Sequence, residues 1–578
     1  MDRNLFLAFA LSFAVLTGWM LWQGEVRREE LAQRSQTVVQ EAPADPQEPV
    51  VAPLPAPSVP AATPQPVTTG EFAASPPESG EKIRIEKPLY TVELNSRGAG
   101  IEHWSLHEYE QGPKNDRQPV VLTTGEAPFA TALVTPFSEL NRGDLTQAVF
   151  DVAVQDDSSV VFSLARKGVT VRKSYEFEAE SYTFRVRVDV ENESDGVVAP
   201  RFAVDWPART VDAVDFREQA LAVLHGGSVE REMIQGLGKL GFFGSFTGGA
   251  PEKVRSFLAE TDWVGFDTTY FLGAILPDKP SEASARFIAV EPGVQGVAQL
   301  FFEPVALQPG QSATREFRGY VGPKEVDRLI EVGSGTVRAI DFGWSWVEPM
   351  TRFFGWMLRA LYSIIPNYGV AIVILTILVR LVTAPLMAKQ MRSMEGMRGL
   401  QPKIKEIQEK FTDDRQKQSE AMMALYKREG VNPLGGCLPM VLQLPVMIGL
   451  FYSLRSSIEL REAPFFGWIT DLSAPETLFE IPGLGVPIRV LPLIMGATMF
   501  LQQRMTPQPT MDAMQARMMT TMMPIVMTFV FYQFASGLVL YWMLSNVLAI
   551  AHQLWIRRGS QPPAAAPVAK RGKAESKS

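Results

Sequence analysis

The chain of 578 residues contains only one cysteine and four histidines. The single Cys437 excludes an intramolecular disulfide bond. No stretch matches the glycine-rich loop that binds nucleotide phosphates, so the sequence does not indicate nucleotide hydrolysis. We therefore expect no cofactor, no metal ion and no enzymatic reaction. Charge is also missing from a long interval near the end, because Met518–Ile556 contains no Lys, Arg, Asp or Glu over 39 residues.

This uncharged interval predicts a membrane hairpin. One membrane-spanning helix needs roughly 20 apolar residues, and the interval is about twice as long. Ala535-Ser536-Gly537 lies near its middle and predicts a tight turn between two short spans. Arg557 and Arg558 follow directly, as expected for the cytoplasmic end of a span.

Four further segments predict membrane helices, which makes six spans in total. They are Leu5–Gln23, Tyr368–Met387, Leu434–Leu454 and Val490–Gln503. We expect the first, within residues 1–24, to be an uncleaved anchor, since no small-residue cleavage site follows it. Residues 386–433 hold 10 basic against 7 acidic residues, and the tail 557–578 holds 6 against 1. The positive-inside rule then places both termini in the cytoplasm and residues 24–367 on the opposite side of the membrane.

The predicted external region has two parts. Residues 25–80 form a linker, because Ser35–Gly80 contains 11 prolines and cannot bury a core. From Glu81 the pattern changes to alternating apolar and polar residues, most clearly at Tyr182–Val190. Period two is typical of half-buried strands, so we expect 81–325 to be an all-β sandwich domain.

Two helical regions flank the second span. Residues 326–367 contain an aromatic-rich stretch, Asp341–Ile365, that predicts an amphipathic helix lying in the outer headgroup zone. The basic loop 388–430 repeats apolar residues at spacings of three and four, which predicts a cytoplasmic helical hairpin. Its methionine-rich apolar stripe could be free to bind apolar substrates, but we expect the two helices to pack on each other. Pro402 should restart the first helix, and Thr412-Asp413-Asp414 should begin the second.

Arg380 is a charge inside an otherwise apolar predicted span. It lies about 18 Å along the helix from Tyr368, at ~1.5 Å per residue, and therefore within the hydrocarbon layer. An arginine at this depth costs about 2.5–3.5 kcal/mol on insertion scales and does not lose its proton. One interpretation is that its side chain reaches the inner headgroups. The alternative is a polar, water-containing cavity, and the candidate lining residues are Thr376, Gln443, Gln533, Tyr541, Ser545 and Asn546.

Intramembrane polar groups are also typical of a small-molecule or lipid transporter. Transporters usually show paired ionisable residues or repeated halves, and neither is found here. A membrane-anchored sugar enzyme is a second alternative, since His103, His107 and His225 lie in the predicted β-domain. A sugar enzyme of this kind requires a histidine with a carboxylate held beside it, and the sequence shows no such pattern.

Four ordered strings point to one family. They are Thr376–Arg380, Leu400–Ile404, Met423–Pro439 and Ser536–Tyr541. Together they resemble the YidC family of membrane protein insertases, in its Gram-negative form. The resemblance is close over about 340–556 and extends in arrangement to the anchor, linker and β-domain. It implies that five of the six spans, within 368–556, form an insertase core around a hydrophilic groove open to the cytoplasm and to lipid.

The resemblance also implies roles for individual residues. The family's groove positions fall on Arg380, Thr376, Gln443 and Tyr541, and its second groove tyrosine is Trp542 here. The substrate's apolar helix is expected to leave along the third and fifth spans, where Leu444, Met447 and Val530 lie. The implied partners are nascent membrane proteins, the Sec translocon, membrane lipids, and the ribosome through the basic loop and tail.

Overall fold

The computed structural model describes residues 80–112, 117–123, 131–140, 145–210, 218–239, 252–411, 414–429, 438–481, 486–505 and 517–559. The predicted anchor at 1–24, the linker except Gly80, and the tail beyond Gly559 lie outside the described residues.

Seventeen described strands between Lys82 and Pro323 form three antiparallel sheets. The first sheet has the order β1-β2-β3-β4, and the second has nine strands in the order β11-β10-β13-β14-β17-β8-β7-β6-β5. The third has the order β12-β15-β16-β9. The strands are β1 Lys82–Glu86, β2 Tyr90–Asn95, β3 Gly100–Gln111, β4 Gln118–Val121, β5 Asp151–Gln155, β6 Ser159–Arg166, β7 Val169–Phe177, β8 Thr183–Asn192, β9 Ala203–Arg209, β10 Ala220–His225, β11 Ser228–Met233, β12 Val254–Phe257, β13 Thr261–Asp267, β14 Phe271–Pro277, β15 Ala283–Glu291, β16 Gln295–Phe302 and β17 Ser312–Pro323.

One apolar core joins the three sheets, and the predicted all-β domain is confirmed. Alternate residues of β8 are buried, as its period-two pattern predicts. Gly273 on β14 shows how closely the sheets approach, since a Cβ there would lie 2.5 Å from the ring of Trp206 on β9. Trp206 itself is fully buried. Sheets of this kind bury alternate side chains on facing surfaces, which accounts for the size of this core.

A buried ionic cluster lies at one end of this domain. Asp267, the last residue of β13, accepts hydrogen bonds from Lys324 Nζ at 2.8 Å and Arg231 Nε at 2.7 Å. Lys324 and Asp267 are both buried, and Lys324 also donates to the carbonyl of Thr268 at 2.8 Å. Burial lowers the pKa of Lys324, and the nearby charge of Asp267 opposes that shift. The carboxylate therefore compensates two cations at once.

The helices that follow the strands belong mostly to the membrane part. They are α1 Val326–Val332, α2 Glu348–Ile364, α3 Tyr368–Gly399, α4 Gln401–Lys410, α5 Arg415–Arg428, α6 Leu438–Ser456, α7 Val490–Met505, α8 Met523–Phe531, which continues a π-helical turn at Met518–Met522, and α9 Ser536–Gly559. The small α1 packs in the core of the β-domain through Leu329 and Val332. A two-stranded hairpin, β18 Phe479–Ile481 with β19 Val486–Ile488, lies between α6 and α7.

Two described segments are long and apolar enough to cross a membrane. They are Tyr368–Pro385 of α3 and Ser536–Ile556 of α9, which match the predicted second and sixth spans. The predicted third, fourth and fifth spans fall on α6, α7 and α8. The first falls outside the described residues, so the number of six spans stays a prediction.

The amphipathic helix begins later than the sequence suggests. Helix α2 starts at Glu348, whereas the aromatic stretch begins at Asp341. Pro349 in the first turn fits a helix start, and Gly343 has a positive φ of 82° that interrupts a helix. The helix buries Phe354 and Leu358 and leaves Phe353 and Trp356 exposed. It is therefore amphipathic, as predicted.

Helices α4 and α5 form the helical hairpin that the sequence predicts in the loop 388–430. Pro402 lies in the first turn of α4, and Asp414 caps α5 by accepting a hydrogen bond from the N–H of Lys417 at 3.1 Å. A small core of Leu400, Ile404, Leu425 and Tyr426 joins the two helices. Mutual packing, rather than a free apolar stripe, accounts for the period of these four residues.

Candidate functional site

A pocket of about 290 Å³ lies between the middle of α3 and the C-terminal half of α9. Arg380 is the charged side chain on its wall, and the other lining residues are mostly apolar: Ile377, Leu381, Ala384, Met387, Leu548, Ala549, Ala551, His552 and Trp555. Within the described part of the chain no ion pair involves Arg380, and its neighbour Tyr541 on α9 is uncharged at neutral pH. The pocket thus holds a permanent cation in an apolar wall, where water, lipid headgroups or a visiting anion can solvate it.

The predicted groove residues on α3 and α9 do not all reach this pocket. Thr376 is fully buried one turn before Arg380, and its hydroxyl donates to the carbonyl of Ile372 at 2.6 Å. Tyr541 is also buried, on the face of α9 that is directed toward Arg380. Ser545 lies one turn farther along, close to the Tyr541 hydroxyl but without hydrogen-bond geometry. The polar groups therefore form a line from Tyr541 toward the pocket.

Trp542 lies on a different side of α9 from Tyr541. Its ring packs edge to face against Phe531 of α8, with a centroid distance of 4.8 Å. Successive helical residues are about 100° apart, so two adjacent aromatic residues face different neighbours. The structure brings Tyr541 and Arg380 together and places Trp542 in the packing between α8 and α9.

The predicted substrate path lies on α6 and α8. Leu444 and Val530 are exposed on the surfaces of their helices, and Met447 is partly buried. Gln443 belongs to α6, but its side chain lies outside the described residues. Exposed apolar residues on membrane helices present their side chains to lipid or to another apolar helix.

The contacts that hold α7 in place were not apparent from the sequence. Asn546 Nδ2 donates to Thr498 Oγ1 at 3.5 Å, and Gln553 Nε2 donates to the carbonyl of Met505 at 3.0 Å. Both donors lie on α9 and both acceptors on α7. These buried side chains hold two helices together, a common use of amides in membrane proteins. The spacing of polar residues along the sequence does not show that these two side chains are buried.

We call the described residues between α6 and α7, 457–481 and 486–489, the outer loop, and they contact the starts of α7 and α9. The N–H groups of Ser536 and Gly537, at the start of α9, donate to Ala474 and Leu472 at 2.8 and 2.9 Å. Leu472 is fully buried against the helices. The loop thereby satisfies backbone groups that a helix start otherwise leaves unpaired.

Glu476 fastens the same loop to α7. Its Oε1 accepts a hydrogen bond from the N–H of Leu491, and its Oε2 accepts one from Trp468 Nε1, both at 2.7 Å. A carboxylate at a helix N-terminus also interacts favourably with the helix dipole. The outer loop is thus bound to the starts of both α7 and α9.

Comparison with known proteins agrees with this architecture. Residues 360–563 match the family model described as 60Kd inner membrane protein, and residues 82–357 match the model described as YidC periplasmic domain. The match defines an inner-membrane protein with a helical membrane domain and a large periplasmic β-domain.

Individual relatives give the family. The chain is 36% identical to the membrane protein insertase YidC of Pelobacter propionicus over 87% of this chain and 92% of that protein. It is 35% identical to the YidC of Nitratidesulfovibrio vulgaris over 96% of this chain and 99% of that one. A crystal structure of an active YidC insertase aligns with 83% of this chain and 94% of its own chain, at a TM-score of 0.33 and 18% identity. The chain belongs to the YidC family of membrane protein insertases.

The protein is therefore a membrane protein insertase of the inner membrane, and not an enzyme. Its substrates are membrane proteins. The transporter and sugar-enzyme alternatives are set aside by this assignment.

Proposed function

We propose that the pocket beside Arg380 receives the hydrophilic external segment of a substrate while that segment crosses the membrane. The proposal rests mainly on Arg380, which lies in the wall of a pocket of about 290 Å³. This cation has no ion pair among the described residues. The bound outer loop keeps the opposite end closed. A segment held there has a shorter apolar distance left to cross.

The lengths of the helices support the same proposal. The 16-residue α7 is about 24 Å long, and α8 with its π-helical turn is about 21 Å, at ~1.5 Å per residue. The hydrocarbon layer of a typical bilayer is about 30 Å thick. Short spans thin the membrane around them, which lowers the cost of moving polar groups across it.

Topology and partners complete the proposal. The β-domain and α2 lie in the periplasm, and the α4–α5 hairpin and both termini lie in the cytoplasm. Lys417 and Arg428 on the hairpin are exposed, although each also pairs with a neighbouring carboxylate, and exposed cations suit contact with anionic RNA or lipid. We infer that the ribosome contacts this surface, and that the protein works alone or beside the Sec translocon.

Photocrosslinking tests the substrate path. Probes at Leu444 on α6 and at Val530 on α8 should capture a nascent membrane protein during insertion, because both side chains are exposed on apolar helices. A probe at Leu258, which is exposed on the β-domain, is the matched control and should capture none. Equal capture at all three positions would remove the proposed path.

Deletion tests whether the β-domain is needed. We expect a protein lacking residues 81–340 but retaining α2 to keep most insertion activity, since the proposed pocket lies entirely on α3 and α9. The deletion extends to residue 340 because Leu329, Val332 and Ile340 pack in the core of the β-domain. Insertion of a small membrane protein is measured in cells depleted of the intact chain. Loss of activity in a deletion variant that reaches the membrane at normal levels would contradict the proposal.

A further inference from the structure

The outer loop exposes large apolar side chains although its charge is net acidic. Phe466 is 65% exposed, Trp468 36%, Leu478 44% and Phe479 54%. We call these four residues the outer rim. Single exposed apolar residues are common on soluble surfaces, but four on one short loop next to membrane helices need a partner that removes them from water.

Contacts within the loop place the outer rim at the level where the spans begin. Phe465 packs against Gly369, the second residue of α3, where a Cβ would lie 2.0 Å from its ring. The adjacent Phe466 contacts Phe465 with a ring-centroid distance of 4.7 Å. The outer rim is thereby tied to the outer end of α3.

Two further contacts tie the outer rim to α7. Trp468 is bonded to Glu476, which in turn accepts the N–H of Leu491 in the first turn of α7. Phe479 pairs with Ile488, two residues before α7 begins. All three connections lead to the ends of membrane helices, and the residues just beyond such ends lie among lipid headgroups.

The chemistry of Trp468 favours lipid as the partner. An indole N–H without a hydrogen-bond partner is costly to remove from water, but here Glu476 already accepts that hydrogen bond. The exposed part of the ring is therefore free to enter an apolar layer. Aromatic side chains with one satisfied polar group are typical of the membrane interface.

We propose that the outer rim inserts into the headgroup zone of the outer leaflet, and that lipid covers it. The inference rests on the proposed topology, in which the outer loop faces the periplasm. Lipid contact would also fix the position of the loop that covers the starts of α7 and α9. Lipid contact then holds the closure in place while a substrate occupies the pocket.

Fluorescence quenching by labelled lipids tests this proposal. The single Cys437 is replaced by Ser, and Cys is introduced at Phe466, at Phe479 or, as the matched control, at the exposed Leu258 of the β-domain. Each full-length variant carries an environment-sensitive NBD label and is placed in phosphatidylcholine nanodiscs. The lipids carry a nitroxide either near the headgroup or at the end of the acyl chain.

We expect blue-shifted emission at 466 and 479 and loss of most of it with the shallow nitroxide. The deep nitroxide should quench less, and the label at 258 should respond to neither. Water-like emission at 466 and 479, stronger quenching by the deep nitroxide, or equal quenching at 258 overturns the proposal. Blue-shifted emission that appears in native membranes but not in nanodiscs also overturns the proposal, because another protein then covers the outer rim.

Two added measurements separate this inference from the proposed function. A membrane-impermeant thiol reagent on intact spheroplasts should label position 258, and failure there would show that the topology is wrong. Insertion is assayed with the same labelled variants. Normal insertion of substrate without quenching of the label overturns the lipid contact and leaves the proposed function standing. Loss of crosslinking at Leu444 and Val530 contradicts the substrate path and leaves the lipid contact standing.

Discussion

Replacing Arg380 by alanine should lower insertion of a substrate with acidic external residues about tenfold, which corresponds to a loss of about 1.4 kcal/mol. Two unit charges in contact attract by about 4 kcal/mol at an effective dielectric near 20, and desolvation removes part of this. Among the described residues Arg380 has no carboxylate partner, so the attraction is available to a substrate. The measurement is the fraction of substrate inserted per unit time, at matched protein levels.

Three comparisons isolate the charge at this position. A substrate with neutral external residues should lose much less in the same variant. Arg380→Lys should retain much of the activity, because attraction to a carboxylate needs a point charge and not a bidentate geometry. Arg504→Ala removes an exposed arginine from the end of α7 and should leave insertion unchanged.

Two results would contradict this role. Equal impairment of acidic and neutral substrates by Arg380→Ala indicates a structural arginine, and so does a Lys variant as poor as the Ala variant. Amounts of each variant in the membrane are measured alongside, since a structural role would also lower them.

The variant Asp267→Ala should lower the free energy of unfolding of the β-domain by about 3–5 kcal/mol, the usual cost of removing one partner of a buried ion pair. Lys324 and Arg231 would lose a shared carboxylate at 2.8 and 2.7 Å. Burial already lowers the pKa of Lys324, and without Asp267 that pKa should fall further. Thermal unfolding of the purified full-length chain, followed by the far-ultraviolet β signal, measures the effect.

The pH dependence of this variant follows from the sign of the shift. With its folded pKa below that of the unfolded chain, Lys324 binds fewer protons when folded, so stability rises as pH increases toward 10.5. The difference in the free energy of unfolding between the wild type and Asp267→Ala should accordingly become smaller in alkaline buffer. Asp262→Ala, on the same strand but half-exposed, is the matched control and should cost much less. Equal losses in both variants would show that Asp267 carries no special role.

Much of the architecture followed from the sequence because it depends on local composition and period. The alternation at Tyr182–Val190 predicted β8, and Pro402 and Asp414 predicted the starts of α4 and α5. The length of their apolar runs predicted α3 and α9 as spans, and these two helices are the two long apolar segments of the described structure. Arg380 stood out for the same reason, as one charge in an apolar run.

The sequence by itself thus determined whether a segment is predicted as strand, helix or linker, which family the chain resembles, and that Arg380 is a candidate site residue. Only the tertiary structure decided which helix faces which. It turned Trp542 toward Phe531 of α8 and Tyr541 toward Arg380, placed Asn546 and Gln553 against α7, and fastened the outer loop to α7 and α9 through Glu476 and Leu472. A local period places a side chain on a face of its own helix, whereas its partner lies tens of residues away and is selected by packing.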